Sequence, residues 1–219
     1  RKIVLSAMAL LLTGAVSFGQ AIKDREVIPV AVNLNQVLRM TVHDGGNIEF
    51  NFNTIDQYKN GISAEAGNPG DGMYVTNFTV ASSTRWKVQY GAEDATFIGV
   101  DDPTNNTLAL DNVVFQVVSN GAHTLDAVAL GATAGAELWS APTTGGTVVA
   151  DLDVYPINLL EDNGDAAANA GDENDNDFTI NWRCGTVEGD MNATALINQD
   201  PSPTPDRYVT NVLFELSIN

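Results

Sequence analysis

Apolar and polar side chains alternate with a period of two along most of the chain, the pattern of half-buried β-strands. Ile28, Val30, Val32 and Leu34 fall on one face of Val27–Leu34, and Pro29, Ala31 and Asn33 on the other, with Pro29 favouring an edge. Ile48, Phe50 and Phe52 alternate with Glu49, Asn51 and Asn53. The same alternation recurs at Tyr74–Val80, at Trp86–Tyr90 and at Phe178–Arg183. Val113–Val118 and Thr147–Tyr155 are valine-rich runs bounded by Gly and Asn. The last run is the longest, with Tyr208, Thr210, Val212, Phe214, Leu216 and Ile218 sharing a face.

Turn chemistry punctuates these runs at Asp44-Gly45-Gly46-Asn47, Asn60-Gly61, Gly67–Gly72 and Thr144-Gly145-Gly146. The spacing predicts an all-β, antiparallel β-sandwich of roughly nine or ten strands. Helix is scarce: Ala-rich Asp126–Leu138 is weakened by Gly131 and Gly135, at about 1 kcal/mol each relative to Ala. The Pro-rich stretch Asp200–Asp206 reads as a loop before the final strand, so one domain is expected over 20–219, with a strand-like arm at 20–34.

The N-terminal end breaks the pattern. Arg1-Lys2 precedes the apolar stretch Ile3–Phe18, and Ser17 and Gly19 would occupy −3 and −1 of a cut before Gln20. Residues 1–19 therefore read as a secretory signal peptide, too short and interrupted for a confident membrane span. An exported chain with Cys184 as its one cysteine is expected at a bacterial, Gram-negative surface rather than in a disulfide-rich eukaryotic secretome. The mature chain is expected to have no membrane span. The sequons at Asn77, Asn105 and Asn192 are then expected to be chance matches.

Charge narrows the partners. With 28 Asp+Glu against 10 Lys+Arg, the net charge of −18 offers no basic footprint for nucleic acid. Seven of the acids crowd into Glu161–Asp177, where oxygen ligands on a flexible loop suit a hard cation. Asp172, Asn174, Asn176 and Asp177 are the candidate Ca²⁺ ligands. The run opens like an EF-hand loop but has Asp177 where that loop needs Gly and Arg183 where it needs Glu, so a solvated acidic loop is the rival reading. Beyond Ca²⁺, no cofactor is expected.

Catalytic chemistry is sparse. His43 and His123 have no Ser or Cys motif beside them, and neither Gly-x-Ser-x-Gly nor His-Glu-x-x-His occurs. Asp101-Asp102-Pro103 reads as a turn, and Asp151 and Asp153 as an exposed strand face rather than a glycosidase pair. Cys184, Trp86 and Trp182 read as core. The chain is not expected to be an enzyme.

The leader, the Val-x-Val first run, Phe78–Val88 (FTVASSTRWKV) and the alternating terminal strand together resemble bacterial fimbrial, pilin-like subunits of immunoglobulin-like topology. The resemblance implies a structural subunit of a surface filament or adhesive layer, a homo-oligomer rather than a catalyst. The chain departs from chaperone–usher pilins in having Cys184 alone and Ile218 next to its last residue, and it lacks the acylated Cys of lipoprotein-type pilins. The physical route to assembly is strand addition, in which Ile28, Val30, Val32 and Leu34 fill alternate pockets on a neighbour's open sheet edge. Val212, Phe214, Leu216 and Ile218 are the reciprocal candidates, and two ordinary edge strands of one closed sandwich are the rival. The alternative function is a secreted carbohydrate-binding or adhesive module using exposed aromatics and calcium, with a glycan or host-surface ligand.

Overall fold

The alternating runs assemble into antiparallel sheets. The computed structural model describes residues 28–63, 73–122, 147–161, 169–187 and 191–218. The signal-peptide reading, His123 and the Ala-rich segment 126–138 lie outside them. The chain divides into two compact units, Arg1–Asn35 and Gln36–Asn219.

Twelve strands are described in the second unit. They are β1 (Leu38–Asp44), β2 (Ile62–Ser63), β3 (Val75–Ser82), β4 (Trp86–Ala92), β5 (Thr96–Gly99) and β6 (Thr107–Ala109). The others are β7 (Val113–Ser119), β8 (Thr147–Asp151), β9 (Ile157–Glu161), β10 (Asp177–Cys184), β11 (Tyr208–Val209) and β12 (Val212–Ile218). The main sheet has the order β1-β3-β10-β7-β8, with β2 paired to β10. Two three-stranded sheets, β12-β4-β9 and β11-β5-β6, complete the fold. The architecture is the expected all-β sandwich, with more strands than the alternation suggests because β2, β6 and β11 are too short to show a period.

Aromatic rings join the two layers. Phe78 on β3 and Phe178 on β10 stack at 5.1 Å within the main sheet, and across the layers Trp86 on β4 meets Phe178 edge-on at 6.0 Å. Tyr90 on β4 meets Phe115 on β7 edge-on at 4.9 Å. Trp86, Phe115 and Phe178 are completely buried, so the apolar phase read from the sequence is the core phase. Central β7 is buried along its whole length, as expected for a run with no polar face beyond Gln116 and Ser119. Cys184 is buried, and burial pushes its thiol up to about 12.

Three expectations are corrected. Residues 28–34 form no strand: they are extended outside any ladder and fully exposed. Pro29 removes one donor, and no edge is paired with the segment. Ile48–Phe52 keeps its alternation as burial, with Ile48, Phe50 and Phe52 half-buried between exposed neighbours, yet it joins no sheet. Phe50 stacks on Tyr74 at 4.5 Å and Phe52 tilts against Tyr58 at 5.4 Å, so side-chain packing holds it instead. The long terminal run is split at Thr210-Asn211: β11 pairs with β5, whereas β12 pairs with β4. Next to the break, the Asn211 carbonyl accepts from the Glu93 amide (2.9 Å) and its Nδ2 donates to the Glu93 carboxylate (2.7 Å), which extends the β12–β4 pairing by one residue.

The Asn60-Gly61 signal ends a short helix, α1 (Ile55–Asn60), that period-two reading overlooked. Thr54 and Gln57 form a capping box at its start, and Gly61 closes it at φ 73°. At the end of β1 a register shift between Val42 and Asp44 precedes Gly45, which has φ +66°. A Cβ there would run into the Val75 carbonyl, and the Gly45 carbonyl accepts from Thr76 Oγ1 at 2.7 Å. Gly45→Ala is expected to cost about 1–3 kcal/mol, visible as a lower Tm with unchanged far-ultraviolet circular dichroism at 20 °C. An unchanged Tm would contradict this account of the β1 exit.

Candidate functional site

Two features of the surface are not accounted for by the pairing of the strands: the segment 28–34 in the first unit, and a cavity of mixed apolar and polar lining within the second.

Ile28, Val30, Val32 and Leu34 are 80%, 84%, 76% and 91% exposed. Four large apolar side chains at alternate positions, all in water, are the binary pattern of a strand without its sheet. At about 3.4 Å per residue the segment spans about 23 Å, close to the length of a seven-residue strand.

In the second unit, the edges of the two layers that carry β1 and β12 are unfinished. β1 pairs with β3 and β12 with β4, and among the described residues no strand pairs with the outer edge of either. The half-buried apolar residues packed against the core fall mainly here: Leu38 and Met40 on β1, Ile48, Phe50 and Phe52, and Val212, Phe214 and Leu216 on β12. Between them lies a cavity of about 860 Å³. One wall is the continuous stretch Gly45–Asn53 and the other the stretch Pro203–Val212. The inner face of the main sheet forms the floor, through Met40, Thr76, Trp182 and Cys184.

Local hydrogen bonds and one ion pair fix the position of these walls. Asp206 accepts from Asn106 Nδ2 (2.8 Å), from the Asp101 amide (3.1 Å) and from the Arg207 amide (2.7 Å). It thereby ties the second wall to the β5–β6 hairpin. Arg207 Nε donates to Glu49 Oε1 at 3.0 Å, an exposed pair that spans the mouth from wall to wall. The Asn106 side-chain bond, followed by the backbone donors, holds the Asp206 carboxyl below the usual carboxylate range. A depressed carboxylate stabilises the fold above its unfolded value near pH 4 and loses that contribution as pH falls through its folded value. Asp206→Asn should therefore flatten the loss of stability below about pH 4, measured by urea unfolding at stepped pH. An identical acid limb in both proteins would refute this role.

Thr210 Oγ1, on the second wall, is buried without a hydrogen-bond partner, and Ser217 Oγ on β12 is in the same condition. Each such group costs about 1–3 kcal/mol relative to a satisfied one. On β12, Val212, Phe214 and Leu216 point inward and are half-buried, whereas Ile218 is 53% exposed. The apolar face expected for the terminal strand is thus only partly covered.

In the described part of the acidic loop, the carboxylates accept from main-chain amides. Asp172 Oδ1 accepts from the amides of Asn174 (2.8 Å) and Asp175 (3.2 Å), and Asp175 Oδ2 accepts from the Asp172 amide at 3.2 Å. Asn176 is 1% exposed, its carbonyl accepting from the Val80 amide at 2.9 Å, while Asp177 opens β10. Among the described residues no three His, Cys, Asp or Glu side chains stand close enough to hold a metal ion.

Within the same stretch, Asn169 is buried at 4% and bonded to Trp86 three times. Its Oδ1 accepts from the Trp86 amide (3.0 Å), its Nδ2 donates to the Trp86 carbonyl (2.7 Å), and its own carbonyl accepts from Trp86 Nε1 (2.7 Å). A loop composition of Asp, Asn, Ala and Gly gives no sign of this buried residue.

Asp101-Asp102-Pro103 is the expected turn: Asp102 Oδ2 accepts from Asn105 Nδ2 at 2.8 Å, and its carbonyl from the Asn106 amide at 2.9 Å. Asp151 ends β8, its carbonyl accepting from Tyr90 OH at 3.0 Å, and Asp153 is exposed beyond it, its Oδ1 accepting from the Val154 amide. Burial first, and then these two carboxylates, raise the Tyr90 hydroxyl well above its ordinary value, so it is a structural donor. His43 is held by Thr79 Oγ1 at 2.9 Å. Among the described residues, no Phe, Tyr or Trp side chain is exposed. No helix among them is long and apolar enough to cross a membrane.

No protein-family model matches the chain, and no curated protein matches it.

Proposed function

We propose that the chain is a non-enzymatic structural subunit of a bacterial surface filament or adhesive layer, exported and self-assembling by β-strand addition through residues 28–34. The observation that carries this reading is the free arm, whose four alternating apolar side chains are each more than three-quarters exposed. A single exposed Leu needs no explanation, but four in strand phase on an unpaired segment do. Placing them on a sheet edge removes them from water and gives their amides and carbonyls a ladder. The strongly acidic surface keeps the free subunit soluble before assembly.

The test is electron microscopy and sedimentation of the purified full chain beside a variant with Ile28, Val30, Val32 and Leu34 all changed to Ser. Regular assemblies are expected from the first alone. Equal assembly by the variant would overturn the reading.

A further inference from the structure

We infer that the cavity of the second unit is a binding site for an amphiphilic organic cation, an aliphatic chain that ends in one ammonium head. The inference stands apart from strand addition and uses residues of the second unit alone. The cavity's volume of about 860 Å³ lies within the range of about 300–1,000 Å³ typical of small-molecule sites. Its chemistry changes with depth. At the floor, Val113, Leu152, Trp182, Cys184 and Leu196 are all buried, and together they present an apolar surface. The polar groups beside them are already satisfied: Trp182 Nε1 donates to Thr76 Oγ1 (3.0 Å), and Thr76 Oγ1 donates to the Gly45 carbonyl (2.7 Å). A polar group carried to the floor would lose its water and find no partner, so the buried part of the ligand is hydrocarbon.

The rim selects the head. Among the described residues, Glu49, Asp206 and Arg207 are the charged side chains that line the cavity, so one negative charge stands in excess. The Arg207–Glu49 pair is 61% and 47% exposed, a contact that water and salt weaken, so an incoming ammonium can take the guanidinium's place at Glu49. Three half-buried rings, Phe52, Tyr58 and Tyr208, line the same cavity, with Phe52 and Tyr58 tilted at 5.4 Å. The face of an aromatic ring attracts an ammonium and does nothing for a carboxylate. The net charge of −18 adds a field that draws cations in and turns anions away. A carboxylate amphiphile would have Arg207 alone in its favour, and a neutral head would leave the charge excess unused.

Calorimetric titration of the full chain tests the site, with dodecyltrimethylammonium and dodecanoate as probes, each below its micellar concentration. The cation should saturate at one per chain and bind about tenfold more tightly than the anion. Two variants separate the cavity from general attraction to an acidic surface. Val42→Arg puts a positive charge in the cavity wall, whereas Val154→Arg makes the same change of net charge outside the lining. Val42 and Val154 are 50% and 41% exposed, so both positions accept the longer side chain. Val42→Arg should weaken the cation about tenfold and Val154→Arg leave it unchanged. A bromine at the far end of the chain should quench tryptophan emission, and Trp182→Phe should remove most of that quenching. Equal loss in the two arginine variants, dodecanoate binding as tightly as the cation, quenching that survives Trp182→Phe, or no saturable binding would each overturn the site.

Discussion

Trp86→Ala is expected to lower the unfolding free energy by about 3–5 kcal/mol, the range for removing a fully buried large aromatic. For a chain of this size that corresponds to a fall in Tm of about 6–20 °C. The side chain is completely buried between the layers and meets Phe178 edge-on at 6.0 Å, so truncation leaves a cavity at the centre of the sandwich. It also orphans the Asn169 carbonyl, which accepts from the indole at 2.7 Å. The second contribution can be separated. Trp86→Phe keeps most of the volume and loses only the indole donor, so its cost should be nearer the 1–3 kcal/mol of an unsatisfied buried group. Asn169→Ala breaks the two bonds to the Trp86 main chain while leaving the indole bond, and the double variant should show coupling of about 0.5–3 kcal/mol. Additive effects of Trp86→Ala and Asn169→Ala would mean that Asn169 does not hold Trp86 in place.

The change of Ile28, Val30, Val32 and Leu34 to Ser is expected to abolish assembly at micromolar concentration while leaving the Tm of the subunit unchanged. Burying the four side chains contributes roughly 6–12 kcal/mol gross. Association itself costs on the order of 4–15 kcal/mol, and the remainder of the affinity comes from the main-chain ladder. Removing even the lower figure weakens each contact by about 10⁴-fold. The unchanged Tm follows from the exposure of all four side chains and the absence of any strand across them. A fall in Tm comparable to that of Trp86→Ala would show instead that the arm belongs to the subunit's own core. Differential scanning calorimetry and sedimentation velocity on the same preparations separate these results.

Much of the fold is legible in the order of residues, because burial on one face of a strand imposes a period of two wherever a strand is long enough. Phe78, Trp86, Val88, Tyr90, Phe178, Ile180 and Trp182 are all core residues in the phase read from the sequence. The same rule fails where burial and pairing separate. Phe50 and Phe52 alternate because they pack on Tyr74 and Tyr58, although their backbone joins no ladder. Tyr208–Ile218 alternates without interruption, yet Tyr208–Val209 pair with β5 and Val212–Ile218 with β4, in different sheets. The acidic stretch reads as solvated, yet Asn169 and Asn176 are buried because neighbouring main-chain groups need partners there.

The candidate site divides the same way. The arm's alternation is a property of local sequence, since a side chain's phase is set by its parity along the chain. That residues 28–34 have no strand partner among the described residues, and that β1 and β12 leave a trough of about 860 Å³ between the layers, follows from which edges the strands leave unpaired. Edge pairing is decided by contacts between residues far apart in the chain, such as Leu38 with Ser82 and Val212 with Ala92. By itself the sequence determined that this is a β-sandwich with apolar faces in a known phase and a strongly acidic coat. Only the tertiary structure decided which of those faces are closed and which stay open, because closure depends on long-range pairing that no local period records.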